Sequence, residues 1–123
     1  MKHLTIIVLI FIIASCSHTR NFSLVEFENG EMLQGTFNSS TQEAIVVMLD
    51  GQILKGKYTR VKNATFTFAK SFYAYSTSMS GNAYALLKSE SSKLMMEIIV
   101  IYQKHHGFGE ARTNDGRIYK VQF

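Results

Sequence analysis

Asp50-Gly51-Gln52-Ile53-Leu54-Lys55-Gly56-Lys57-Tyr58 is the stretch that decides the fold class. An Asp-Gly dipeptide favours a tight turn with positive φ, because glycine lacks the Cβ that penalises that conformation. The residues after the dipeptide suit a strand, and the apolar run Ala44-Ile45-Val46-Val47-Met48-Leu49 before it suits another. The same arrangement recurs at Asn29-Gly30-Glu31-Met32-Leu33-Gln34-Gly35-Thr36-Phe37, preceded by Leu24-Val25-Glu26-Phe27. It returns at Asp115-Gly116-Arg117-Ile118-Tyr119-Lys120-Val121-Gln122-Phe123. Strand, tight turn, strand is therefore the repeating unit.

The stretches between these hairpins carry a period of two. Phe66 and Phe68 alternate with Thr65 and Thr67, and Tyr73 and Tyr75 flank Ala74, as expected of a half-buried sheet. Ala83, Ala85 and Leu87 continue the alternation toward a polar turn at Ser89-Glu90-Ser91-Ser92. Leu94 to Tyr102 supports two readings, since Leu94, Ile98 and Tyr102 would also line one face of a helix. Its Ile98-Ile99-Val100-Ile101 run favours a strand, because β-branched side chains are restricted at χ1 on a helix. Gly107-Phe108-Gly109 marks a turn or bulge before Glu110 to Arg112. About eight short strands without βαβ alternation predict an all-β domain over 23–123, either a small antiparallel barrel or a sandwich.

Composition agrees with one packed domain. The chain has 123 residues, 46% of them apolar and 12% aromatic, with no proline and a single cysteine. A wholly disordered chain and a Pro-rich stalk are excluded, as is a disulfide within the monomer.

The first twenty residues differ in kind. Lys2 and His3 precede Leu4 to Ile13, a ten-residue run in which only Thr5 is not strongly apolar. As a helix it would rise about 15 Å, half of a roughly 30 Å hydrocarbon core, so it suits a secretory signal peptide better than a membrane span. Ser15, Ser17, His18 and Arg20 then end the apolar run abruptly. Ile13-Ala14-Ser15-Cys16 stands directly after the run and resembles the lipobox of bacterial lipoproteins, an aliphatic residue and two small ones before a cysteine.

The resemblance implies that Ile13, Ala14 and Ser15 are recognised by the signal peptidase and that Cys16 is lipidated and becomes the mature N-terminus. It divides the chain into a signal peptide at 1–15, a lipidated tether at 16–22 and the β domain at 23–123. Cleavage would remove Lys2 from the thirteen basic residues, leaving twelve against nine acidic ones. A diacylglyceryl group with an amide-linked acyl chain anchors stably, whereas one chain alone is marginal. In the enterobacterial sorting pattern that the resemblance implies, Ser17 rather than Asp after the cysteine favours the periplasmic face of the outer membrane.

The turns of the β domain add to this likeness. Asp50-Gly51-x-x-Leu54-x-Gly56-x-Tyr58, Ser80-Gly81-x-Ala83-x-Ala85, Gly107-x-Gly109-Glu110 and Asp115-Gly116-x-x-Tyr119-x-x-x-Phe123 together look like small, uncharacterised proteobacterial outer-membrane lipoproteins. Those relatives often carry a cysteine pair where this chain has Met96 and Ala111, so the resemblance implies apolar packing in place of a staple. Gly107-x-Gly109 with Asp115-Gly116-x-x-Tyr119 also looks like a single membrane-occupation repeat, although three unevenly spaced turns do not make an array. The resemblance implies a location and a fold, and no activity.

Catalytic and metal constellations are sparse. His105, His106 and Glu110 lie close in sequence, yet adjacent strand residues point to opposite faces, so both imidazoles cannot easily reach one ion. They read as a solvated turn. Both aspartates, Asp50 and Asp115, belong to turn dipeptides, and no Gly-x-Ser-x-Gly elbow or phosphate-binding glycine loop is present. The expectation is a protein that is not an enzyme and needs no metal or cofactor.

Lys55, Lys57, Arg60 and Lys62 form the clearest charged cluster. Such a cluster either keeps a strand edge soluble or meets anionic headgroups, at about 1 kcal/mol per charge near a lipid surface. A secreted domain does not encounter nucleic acid. The expected role is a lipid-anchored periplasmic binding or interaction module, held to the membrane by its N-terminal lipid and engaging an envelope protein, lipid or glycan. Two alternatives remain open: a structural envelope role through the basic face, and inhibition of an incoming hydrolase, as small lipoprotein inhibitors of lysozyme do.

Overall fold

Three turns start the architecture, and glycine makes each of them possible. Gly30, Gly51 and Gly116 adopt φ of 73°, 89° and 93°, the left-handed region that the Asn-Gly and Asp-Gly pairs require. A computed structural model describes residues 18–61, 81–103 and 106–123. Among the described residues are eight strands and no helix: β1 Thr19–Glu26, β2 Met32–Asn38, β3 Glu43–Val47, β4 Ile53–Val61, β5 Gly81–Ser89, β6 Met95–Gln103, β7 His106–Thr113 and β8 Ile118–Gln122. Each pairs antiparallel with the next, and β8 returns to β1 through Leu24↔Val121 and Glu26↔Tyr119. The sheet is a closed barrel and not a sandwich. Closure leaves none of these eight strands with an open edge.

Leu94 to Tyr102 resolves in favour of the strand, as β6, because its β-branched run alternates between the barrel interior and the outer wall. β1 begins at Thr19, inside the stretch expected to be tether. Thr19, Arg20, Asn21 and Phe22 pair with Asn38, Phe37, Thr36 and Gly35. The polar residues at this strand start concealed the pairing, which satisfies their backbone groups as fully as an apolar strand would. The alternating residues Thr65 to Tyr75 lie outside the described residues.

One turn lacks the glycine signal. Between β2 and β3, Gln42 takes φ of 60°, and the Asn38 side chain accepts hydrogen bonds from the backbone N–H groups of Ser40 at 2.8 Å and Thr41 at 3.1 Å. An asparagine side chain thus mimics the backbone of a turn.

The interior is filled in layers. Leu24, Leu33, Val46, Leu54, Leu87, Met96, Ala111 and Tyr119 are buried around the axis toward the end that holds the hairpin turns at 27–31, 48–52 and 114–117. Met96 and Ala111, on adjacent strands, are both part of this apolar packing. Two glycines let the sheet coil tightly. A Cβ on Gly56 would lie 2.0 Å from the Leu86 carbonyl oxygen, and one on Gly109 would lie 1.9 Å from that of Ile99. Glycine in a strand interior often marks such a close backbone approach.

At this packed end Glu26 and Tyr119 face each other in register, and Glu26 Oε2 and the Tyr119 hydroxyl are buried without a hydrogen-bond partner. Burial raises the Tyr119 hydroxyl above its ordinary pKa of 10.0. Nearby, Arg117 donates to both oxygens of Asp115, from Nε at 3.1 Å and from Nη2 at 2.8 Å. That pair holds the Asp115 carboxyl below the usual carboxylate range and closes the last hairpin.

Candidate functional site at the open end of the barrel

Among the described residues the opposite end is open. It holds the start of β1, the β2–β3 turn and the end of β8, and the side chains that point inward there leave a recess of about 310 Å³. Its space comes from small residues: Ala44 on β3 and Ala83 and Ala85 on β5 face inward where a larger residue would fill the axis. The volume lies at the low end of the roughly 300–1,000 Å³ typical of small-molecule sites.

Aromatic side chains form the walls, and glycines on neighbouring strands seat them. The Phe22 ring lies over Gly35, where a Cβ would be 2.3 Å from Cζ. Tyr102 covers Gly81 and Phe123 covers Gly107 in the same way, at 2.4 Å and 2.2 Å. Rings laid over strand glycines replace the missing side-chain contacts and pin the register. Phe37 sits among them, with ring centroids 6.2 Å from Phe22, 6.1 Å from Tyr58 and 5.6 Å from Phe123. The tilted and edge-on angles of 40°, 88° and 65° suit the ring quadrupoles.

Among the described lining residues, charge enters only at the rim. Arg20 on β1 and Arg60 on β4 share the inward register of Phe22 and Tyr58, and both are exposed at the mouth. β1 and β4 stand three strands apart around the barrel, so the two guanidinium groups approach the mouth from different walls. No acidic residue is among the described residues that line the recess.

The expected site residues divide accordingly. Ile13, Ala14, Ser15, Cys16 and Lys62 lie outside the described residues. Lys55 and Lys57 point to the outer wall, where Lys55 pairs in register with Lys88 of β5. Arg60, an odd number of residues from both lysines, points inward and separates from them. The charged cluster is therefore two sites. The part that lines the recess is marked in the sequence only by pairs two residues apart, Tyr58 with Arg60 and Arg20 with Phe22.

The remaining polar groups do not converge. His105 lies outside the described residues. His106 begins β7 at the open end, whereas Asp50 and Asp115 hold turns at the other end, the length of a strand away. Glu110 is buried four residues along β7 from His106, about 13 Å on an extended strand, and accepts a hydrogen bond from Arg112 Nε at 2.7 Å. Among the described residues no three His, Cys, Asp or Glu side chains come together as a metal site.

Comparison with protein-family models, curated proteins and solved structures finds no match to this chain.

Proposed function

We propose that the chain matures into a lipid-anchored periplasmic binding module, on the inner face of the outer membrane, whose binding site is the open end of the barrel. The observation that carries this reading is the aromatic recess of about 310 Å³ with Arg20 and Arg60 at its rim. Cores of this size are normally filled, and an unfilled apolar recess with a few polar groups at its edge is the usual form of a ligand site. The tether supports the same reading. Cys16 is three residues from the start of β1, a reach of about 10 Å when extended, and the Ser39 N–H donates to the His18 carbonyl at 3.1 Å beside the mouth. A lipid on Cys16 therefore holds the open end toward the bilayer.

The mass of the N-terminal peptide recovered from membranes tests the anchor. Cys16 is expected as the first residue, carrying diacylglyceryl and acyl mass, and Cys16→Ser is expected to lose both the processing and membrane retention. An unmodified Cys16, or a peptide that still contains Leu4 to Ile13, overturns the reading.

A second reading rests on the outer wall. Lys55 and Lys88 stand opposite each other across β4 and β5, with Lys57 on the same face. Like charges placed so are destabilising unless an anionic surface meets them. If the barrel rests on lipid or glycan through this face, Lys55→Glu with Lys57→Glu will weaken retention on anionic vesicles while leaving the recess intact. Unchanged retention sinks this alternative.

A further inference from the structure

We propose that the recess takes one single-chain amphiphile with an anionic head, its hydrocarbon tail among the aromatic walls and its carboxylate or phosphate between Arg20 and Arg60. The inference rests on reading the open end as a binding site and names the class of ligand that site takes. Three features select the class. The walls are largely apolar or aromatic, with Phe22 and Phe123 seated over strand glycines and Phe37 packed against both rings, so the buried part of the ligand is apolar. Among the described lining residues the charged side chains stand only at the mouth, which divides the site into an apolar shaft and a cationic rim, the polarity of an amphiphile rather than of a compact polar metabolite. Guanidinium groups match carboxylate and phosphate oxygens through paired hydrogen bonds, and no carboxylate is among the described lining residues to oppose an anion.

Size and position narrow it further. The recess of about 310 Å³ suits one hydrocarbon chain better than a pair of tails. The mouth lies at the end where the chain enters β1, so a tethered barrel meets amphiphiles at the surface in which they reside.

The test uses the mature chain purified from membranes, its N-terminal mass established, and reconstituted in phosphatidylcholine vesicles. Three photoreactive probes with the same terminal-diazirine twelve-carbon tail differ only in the head: carboxylate, phosphate monoester and alcohol. Labelled peptides are mapped by mass spectrometry and normalised to labelling of the lipid.

Both anionic probes, or one of them, are expected to label the peptides holding Phe22, Phe37 and Phe123 about tenfold more than the alcohol does, as charge-assisted hydrogen bonds at the rim require. Whichever head dominates assigns the source, a free fatty acid for the carboxylate or a lysophospholipid for the phosphate. Arg20→Gln with Arg60→Gln, at exposed positions that leave the core untouched, is expected to bring the anions down to the level of the alcohol. Ala83→Leu, which narrows the shaft, is expected to lower labelling by all three probes in folded protein.

Equal labelling by the alcohol, labelling spread over outer-wall peptides, or anion labelling that survives the arginine substitutions overturns the proposal. An unmodified Cys16 accompanied by recess labelling defeats the anchor and leaves the ligand site standing. An acylated Cys16 without recess labelling defeats the ligand site alone.

Discussion

Gly109→Ala is expected to lower the unfolding free energy by about 3 kcal/mol or more, enough to leave much of a marginally stable domain unfolded. The added Cβ would lie 1.9 Å from the Ile99 carbonyl oxygen and 2.7 Å from Val100 Cα. Both atoms belong to the backbone of β6, so no side-chain rotation relieves the clash and β6 must part from β7. Overpacking a core by a methyl group costs about 1–3 kcal/mol when side chains can yield, and here none can. Gly35→Ala is the internal comparison, because the three atoms nearest its Cβ all belong to the Phe22 ring, which can swing into the recess. Its smaller loss should appear as a modest shift of the urea midpoint, followed by far-ultraviolet circular dichroism. A Gly109→Ala midpoint equal to that of the parent protein would falsify this account of the tight β6–β7 approach.

Tyr119 separates size from polarity. Its ring is fully buried at the packed end, between Glu26 of β1 and Ala111 of β7 in register. Tyr119→Ala removes that ring and is expected to cost about 3–5 kcal/mol, the range for truncating a buried aromatic residue. Tyr119→Phe keeps the ring and removes only a hydroxyl that has no hydrogen-bond partner, so stability is expected to hold or rise by about 1 kcal/mol.

The same hydroxyl sets an alkaline limit. Burial, above all, raises its pKa above 10.0, so the unfolded chain loses this proton before the folded one does. The contribution is fully present below pH 10.0 and disappears as pH rises through the folded pKa. Tyr84 adds a loss of the same sign, raised first by burial and then by the neighbouring Glu97. Tyr119→Phe should therefore lessen the alkaline loss of stability without abolishing it. Chemical denaturation on both sides of pH 10 measures the difference.

Much of the barrel wall was legible because its turns are local. Gly30, Gly51 and Gly116 announce hairpins through backbone chemistry that depends on two or three residues, and the β-branched run in β6 announces a strand. The choice between barrel and sandwich was not legible, since it depends on β1 meeting β8, a pairing with no local signature. The β2–β3 turn was hidden because Asn38 and Gln42 do with a side chain and a strained φ what glycine does elsewhere.

The recess was half visible. Its arginines were present in the sequence, but only the inward alternation that joins Arg60 to Tyr58 and Arg20 to Phe22 shows that they face a cavity. The seats of the aromatic rings, Gly35, Gly81 and Gly107, lie on neighbouring strands and become legible only with the register.

The seam between the first and last strands also governs when the protein can exist as a folded object. A chain made from its N-terminus carries β1 long before β8 is available to pair with it, so the edge of β1 must wait unpaired for almost the whole of synthesis. Pairing across so much sequence delays folding, because the ordering of the loop precedes the contacts that reward it. Once Ile118–Gln122 arrives, one latch closes every remaining edge together. Removal of those five residues would not shorten the barrel but reopen it, leaving β1 and β7 to seek partners in other molecules.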